Sequence, residues 1–162
     1  MASPPPLRLK PDSTVTVTSR LPLEQRAALE QLLFFNANQH RVRGGIEQSI
    51  ATYGVPEIHQ HEDSLRIRVG DFPDVQSLFA VNAAGRPVGV AVFMRRAEER
   101  FVVLHLVVEP REAGGVEANA PVLLKLMHEV RRAARRTRGV ERIELVYKNR
   151  DAPRQRPHKT YH

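Results

Sequence analysis

Three apolar segments near the middle of the chain constrain its fold most. They are residues 77–81, 87–94 and 101–108, and the sequences NAAGR and RRAEER separate them. Short apolar runs rich in valine and phenylalanine predict strands, and both connections have the length of hairpin loops. We therefore expect an antiparallel meander at the centre of the fold.

Shorter patterns predict the elements before the meander. Residues 13–21 and 65–70 alternate apolar or β-branched residues with polar ones, which predicts two strands. Helices are predicted at residues 22–35 and 41–53, where apolar side chains recur at helical spacing. A strand and two helices therefore precede the strand at residues 65–70.

One helix and one strand are predicted after the meander. Residues 120–139 place their apolar side chains on one face, and Gly139 is a natural end for the helix. Residues 140–147 alternate apolar and polar side chains, which predicts a last strand. The predicted order is β-α-α-β-β-β-β-α-β, an α+β fold.

Length and composition indicate the type of protein. A chain of 162 residues with 41% hydrophobic residues fits one domain, which we predict at residues 13–152, between a Pro-rich segment at 1–12 and a basic tail at 153–162. The absence of cysteine excludes disulfides, thiolate metal sites and a cysteine nucleophile. Without an apolar run long enough for a membrane, and without the apolar centre of a signal peptide, a cytoplasmic protein of bacterial type is expected.

The positive charge is concentrated at one end. The formal net charge is +7, and the segment from Lys125 to His162 holds twelve Lys or Arg residues against four acids. This distribution predicts an anionic partner for that end, such as nucleic acid, a phosphorylated cofactor or an acidic protein surface. The alternative is a solvated basic helix face with a loose tail.

The segment that joins the third apolar run to the last helix carries a partial motif. Together with the element order, it resembles the GNAT family of N-acetyltransferases, whose loop reads Val-x-Pro and then, two residues on, Arg-Gly-x-Gly-x-Gly/Ala. The matching residues are Val108, Pro110, Gly114 and Ala118. Ala113 and Val116 replace the arginine and the second glycine of the family motif.

This resemblance implies a fold and a cofactor. It implies a mainly antiparallel sheet with helices on both faces, and acetyl-CoA lying between strands 101–108 and 141–147. Backbone amides at a helix N-terminus would bind its pyrophosphate. The cofactor-binding residues that it implies are Val107, Val108, Gly114, Gly115, Val116, Ala118 and Asn149.

Candidate catalytic residues follow from the same resemblance. Glu109 would be the base that deprotonates the acceptor amine, and Tyr147 would donate a proton to the departing thiolate. Simpler interpretations are a solvated carboxylate and a packed tyrosine. His105 would face the same side of its strand as Glu109, either to relay a proton or as a core histidine.

Other site chemistries have little support. His59 and His61 have a spacing that suits a metal, but without a third ligand nearby we interpret them as a loop pair and predict no metal. An N-acetyltransferase is therefore the leading hypothesis, with a non-catalytic interaction module as the rival and nucleic-acid binding as a third class. Because strand 140–147 would have one edge unpaired, we also expect a homo-oligomer.

Overall fold

The computed structural model describes residues 14–34, 43–109 and 116–146. The helices are α1 (Arg26–Phe34), preceded by a 3-10 turn at Leu23–Gln25, α2 (Arg43–Tyr53) and α3 (Val116–Arg136). The strands are β1 (Thr16–Thr18), β2 (Leu21–Pro22), β3 (Pro56–His61), β4 (Ser64–Val69), β5 (Gln76–Val81), β6 (Pro87–Arg95), β7 (Arg100–Val108) and β8 (Arg142–Leu145).

The predicted meander is confirmed and forms the centre of a five-stranded sheet. The strand order is β1-β5-β6-β7-β8, and every neighbouring pair is antiparallel except β7 and β8, which are parallel. β6 is the central strand, and eight of its nine residues are buried. A strand covered on both faces needs a continuous apolar run, which explains why this segment does not alternate. The result is an α+β fold with a mixed, mainly antiparallel sheet.

Helices cover both faces of this sheet. Leu29, Leu32 and Leu33 of α1 pack with Val90 and Val92 of β6 in one core, to which β7 also contributes. The residues of α3 that pack on the opposite face are Val122, Leu126, Val130 and Ala134.

Gly89 of β6 lets α3 approach the sheet closely. A β-carbon at this position would lie 2.9 Å from a methyl group of Val122 and 3.0 Å from one of Leu126.

Several predicted elements differ from those in the structure. Segment 13–21 is divided, because β1 pairs with β5 while β2 turns away to pair with β4 in a second sheet of order β2-β4-β3. β3 was missed because its half-buried surface carries Glu57, His59 and His61, which are poor strand signals. α3 begins at Val116, four residues before the predicted start, and β8 is shorter than predicted.

Candidate functional site

Among the residues described, β8 pairs with the first half of β7. β8 pairs with residues Arg100 to Val103, and the amide of Val146 donates a 3.0 Å hydrogen bond to the Val103 carbonyl. β7 then continues for five residues, to Val108, beyond its last described pair with β8. This second half of β7 is the centre of the candidate site.

A β-bulge marks the boundary between the two halves. Val92 pairs with His105 and Phe93 with Val103, so Leu104 is an additional residue in β7. A bulge takes a residue out of the regular ladder of hydrogen bonds. Ser49 of α2, fully buried, donates a 3.0 Å hydrogen bond to the Leu104 carbonyl. This hydrogen bond therefore connects α2 to the sheet at the bulge.

His105 lies directly after the bulge and is 3% exposed. Its Nε2 atom is buried without a hydrogen-bond partner among the residues described. Burial lowers the pKa of His105 from 6.5 to about 4, because desolvation disfavours the imidazolium form. The side chain is therefore neutral at physiological pH.

Glu109 follows the last residue of β7 and forms an ion pair. Its Oε2 atom accepts a 2.9 Å hydrogen bond from Nη2 of Arg86, and the Glu109 side chain is 20% exposed. Arg86 ends the hairpin between β5 and β6, where Oδ1 of Asn82 accepts hydrogen bonds from the amides of Ala84 and Arg86. The turn therefore holds the guanidinium at the end of β7.

The edge amides have a defined direction. The Glu109 amide donates to the Val88 carbonyl of β6 at 2.8 Å. Successive amides of a strand point to opposite edges, so the Val108 amide points away from β6, toward the side on which β8 lies. Val107 and Val108 are buried, so their side chains belong to the core rather than to an open surface.

The predicted pyrophosphate loop is partly helical. Val116 and Ala118 lie in the first turn of α3, where backbone amides have no acceptor within the helix. Such amides carry partial positive charge and bind anions. The other predicted site residues, Gly114, Gly115, Asn149 and Tyr147, lie outside the described residues.

Two residues of the site were missed by sequence reasoning. Ser49 follows Ile46 by three positions and Ile50 is its neighbour, so a polar residue on the apolar stripe of α2 was a signal that could have been used. Arg86 gave no signal, because its contact with Glu109 joins residues 23 positions apart in sequence.

The interpretation of His59 and His61 as a loop pair was wrong. Both lie on β3, where Nε2 of His59 is 3.1 Å from Oε2 of Glu57. Among the described residues there is no group of three side chains that could hold a metal ion. Within the same part of the chain, no helix is both long and apolar enough to cross a membrane.

Comparisons with known proteins give little further information. No protein-family model matches the chain, and no curated protein sequence matches it. Among solved structures, the chain is similar to the crystal structure of nourseothricin acetyltransferase, with 20% identity and a TM-score of 0.24. The match covers 46% of this chain and 52% of that one, and such a TM-score is too low to assign a fold.

Proposed function

We propose that the protein is a GNAT-like N-acyltransferase that moves an acetyl group from acetyl-CoA to an amine. The single observation that carries the proposal is the parallel pairing of β8 with the first half of β7, followed in the chain by the N-terminus of α3. We place the extended cofactor arm along the second half of β7, beyond the four residues whose pairing with β8 is described. The first turn of α3 provides amides for a pyrophosphate.

Residues at the end of β7, at the start of α3 and in the segments that follow them are assigned to parts of the proposed cofactor. Val108, at the end of β7, would lie beside the acetyl group, and the amides of Val116 and Ala118 would contact the pyrophosphate. Gly114 and Gly115 belong to the same proposed loop, and Asn149 would contact the pantetheine arm. Acetyl-CoA would supply the acetyl group as an activated thioester.

Glu109 is the proposed base. Its carboxylate would accept the proton that the acceptor amine loses as the new C–N bond forms and the C–S bond breaks, and Tyr147 would donate a proton to the departing thiolate. For Glu109 to act, one carboxylate oxygen must remain available while Arg86 holds the other. The ion pair would then fix the orientation of the base.

The same ion pair favours the second candidate, a non-catalytic module with this fold. A carboxylate that is 20% exposed and bonded to a guanidinium is also what a purely structural contact requires. In that case the edge of β7 would serve as an interaction surface and acetyl-CoA would not be consumed. The two candidates differ in whether Glu109 affects thiol release.

Calorimetric titration with acetyl-CoA is the first test. We expect binding at submillimolar concentration, and the absence of binding at millimolar acetyl-CoA would refute the enzyme proposal. The second test measures thiol release with a panel of primary amines. Glu109→Gln should retain acetyl-CoA binding and lower the rate by about 10²- to 10⁴-fold, the usual range for a general base.

Arg86→Gln is the matched control for Glu109. It removes the ion pair but leaves the carboxylate, so acetyl-CoA binding and a measurable rate of thiol release should remain. If wild type and Glu109→Gln bind acetyl-CoA equally and neither releases thiol with any amine, the non-catalytic module is favoured.

A further inference from the structure

A second open region lies at the opposite side of the sheet, along β5. It is a groove of about 650 Å³ between β4 and β5, bordered by the second half of α3. Ser64, Arg66 and Ile67 line it from β4, and Gln76, Ser77 and Leu78 line it from β5. The size is that of a site for a small ligand or a few residues of peptide.

Both strands that border the groove have incompletely paired edges. β1 pairs only with Phe79, Ala80 and Val81 of β5, so Gln76 to Leu78 have no partner strand on that edge among the residues described. β2 pairs only with Ser64 and Leu65 of β4. The backbone groups of such an edge are a template for an added strand.

The groove carries an excess of positive charge. Its charged lining residues are Arg20, Arg66, Arg132 and Arg136 on the basic side and Glu62 and Glu129 on the acidic side. Glu129 bonds to Arg132 at 3.2 Å. Arg20, Arg66 and Arg136 are exposed and form no ion pair within the described part of the chain.

The positions of Arg132 and Arg136 match one face of an added strand. Leu78 packs toward α3, whereas its neighbour Phe79 packs toward the opposite core. A strand paired with this edge would therefore direct alternate side chains toward Arg132 and Arg136 of α3. Acidic side chains on that face would meet these guanidinium groups.

We propose that this groove binds an acidic peptide segment of a partner protein, in extended conformation, by strand addition to Gln76–Leu78 of β5. The chain's own undescribed segments are poor occupants, because residues 1–13, 35–42, 110–115 and 147–162 have no net negative charge. The occupant is therefore a segment of another protein.

Nucleic acid fits this groove less well than a peptide. The lining holds two glutamates, and Phe93 is 1% exposed and cannot stack on a base, which leaves His61 as the one exposed ring among the lining residues described. An open strand edge offers alternating backbone donors and acceptors, which a peptide backbone matches and a phosphate backbone does not. The basic end of the chain predicted an anionic partner, and the groove makes an acidic protein segment the better candidate.

Binding of fluorescein-labelled pentaglutamate to the full chain tests the proposal, with pentaglutamine as the uncharged control peptide. Arg136→Gln should weaken pentaglutamate binding roughly tenfold, as is usual for an important interface arginine. Arg135→Gln is the matched control, because Arg135 is an exposed neighbour on α3 that does not line the groove. Equal effects of the two substitutions would overturn the site assignment.

Two further measurements test strand addition and the class of partner. Pentaglutamates with N-methyl groups on either the odd or the even amides should differ in affinity, because only alternate amides face β5. Equal affinity of the two methylated peptides would overturn strand pairing. An oligothymidylate of equal charge should bind more weakly and should not displace pentaglutamate; tighter binding with displacement would overturn the choice of a peptide.

Discussion

β5 and β7 are two strands of one sheet, and within the described part of the chain a neighbouring strand pairs with about half of each. β8 pairs with four residues of β7, and β1 pairs with three residues of β5. Beyond the covered half, β7 is surrounded by buried apolar residues and His105, whereas β5 is bordered by four arginines. The side chains that surround the two strands therefore differ in polarity.

This difference in polarity shows that an incompletely paired strand does not define a ligand by itself. Next to the second half of β7, the described ionisable groups are the neutral His105 and the ion pair of Glu109 with Arg86, so this region suits a ligand whose charge lies elsewhere, at the start of α3. Next to β5, the arginines that have no ion pair within the described residues suit the acidic side chains of the proposed peptide.

The largest expected effect comes from His105. Its pKa is about 4 in the folded protein and 6.5 in the unfolded chain, so between these values only the unfolded chain takes up the proton. Stability should therefore fall by about 3 kcal/mol as the pH decreases from 6.5 to 4, at 1.36 kcal/mol per pH unit. Well above pH 6.5 the histidine is neutral in both states and contributes no pH dependence.

Chemical denaturation of wild type and His105→Leu at pH 7 and pH 4 measures this effect. The variant should lose less stability between the two pH values, because the buried imidazole is gone. His128→Gln is the control, since His128 is exposed on α3 and should leave the pH profile unchanged. Identical profiles for wild type and His105→Leu would contradict the assignment.

Gly89→Ala is expected to have the next largest effect. The new methyl group would lie 2.9 Å from Val122 and 3.0 Å from Leu126, so α3 must shift or the core must be overpacked, at a cost of about 2 kcal/mol. Because α3 contributes to both edges, acetyl-CoA and pentaglutamate binding should both weaken. Thermal denaturation of wild type and Gly89→Ala measures the change in folding stability.

A double variant tests whether contact with Val122 causes the loss of stability in Gly89→Ala. Val122→Ala removes the methyl group that the new side chain meets, so Gly89→Ala should be less destabilising in the Val122→Ala background. Additive effects in the double-mutant cycle would show that the two side chains do not compete for space.

Ser49→Ala should have an effect of about 1–2 kcal/mol. The substitution leaves the buried Leu104 carbonyl without its hydrogen bond, and an unsatisfied buried acceptor carries a desolvation penalty. Gln48→Ala, at an exposed position of the same helix, should change stability little. Urea denaturation of the two variants compares them, and equal losses would argue against a role for the bulge contact.

The smallest expected effect on folding stability is that of Leu145→Lys at the outer edge of β8. Leu145 is 43% exposed, and we propose that this edge pairs with a second copy of the chain. Light scattering at micromolar concentration should show a dimer or larger species for wild type and a shift toward monomer for the variant. An 18.3 kDa wild-type monomer would rule out this association.

The sequence predicted the helices and the meander well because their patterns are strong. The apolar run of β6 and the apolar stripe of α3 each bury a continuous surface, and such surfaces determine local structure. β3 and the division of the first strand were not predicted, because they depend on pairing with β4 across the chain. Local composition contains no information about such partners.

The candidate site was predicted only in part. Val108 and Glu109 were proposed from the family resemblance and their roles stay predictions, whereas the bulge at Leu104 was not predicted, because a bulge depends on the partner strand. The arginine groove combines residues from β4, β5 and α3, together with Arg20. The concentration of basic residues after Lys125 indicated an anionic partner, but the sequence alone gave no indication that Arg20 and Arg66 lie beside Arg132 and Arg136.

α3 has a consequence for the energetics of the two proposed sites. Its 21 residues extend for roughly 31 Å, from the first-turn amides near the end of β7 to the arginines beside β5. A ligand that shifts this helix at one end changes the geometry at the other. The two binding equilibria are then thermodynamically coupled, and whatever factor acetyl-CoA imposes on the peptide dissociation constant, the peptide must impose on that of acetyl-CoA.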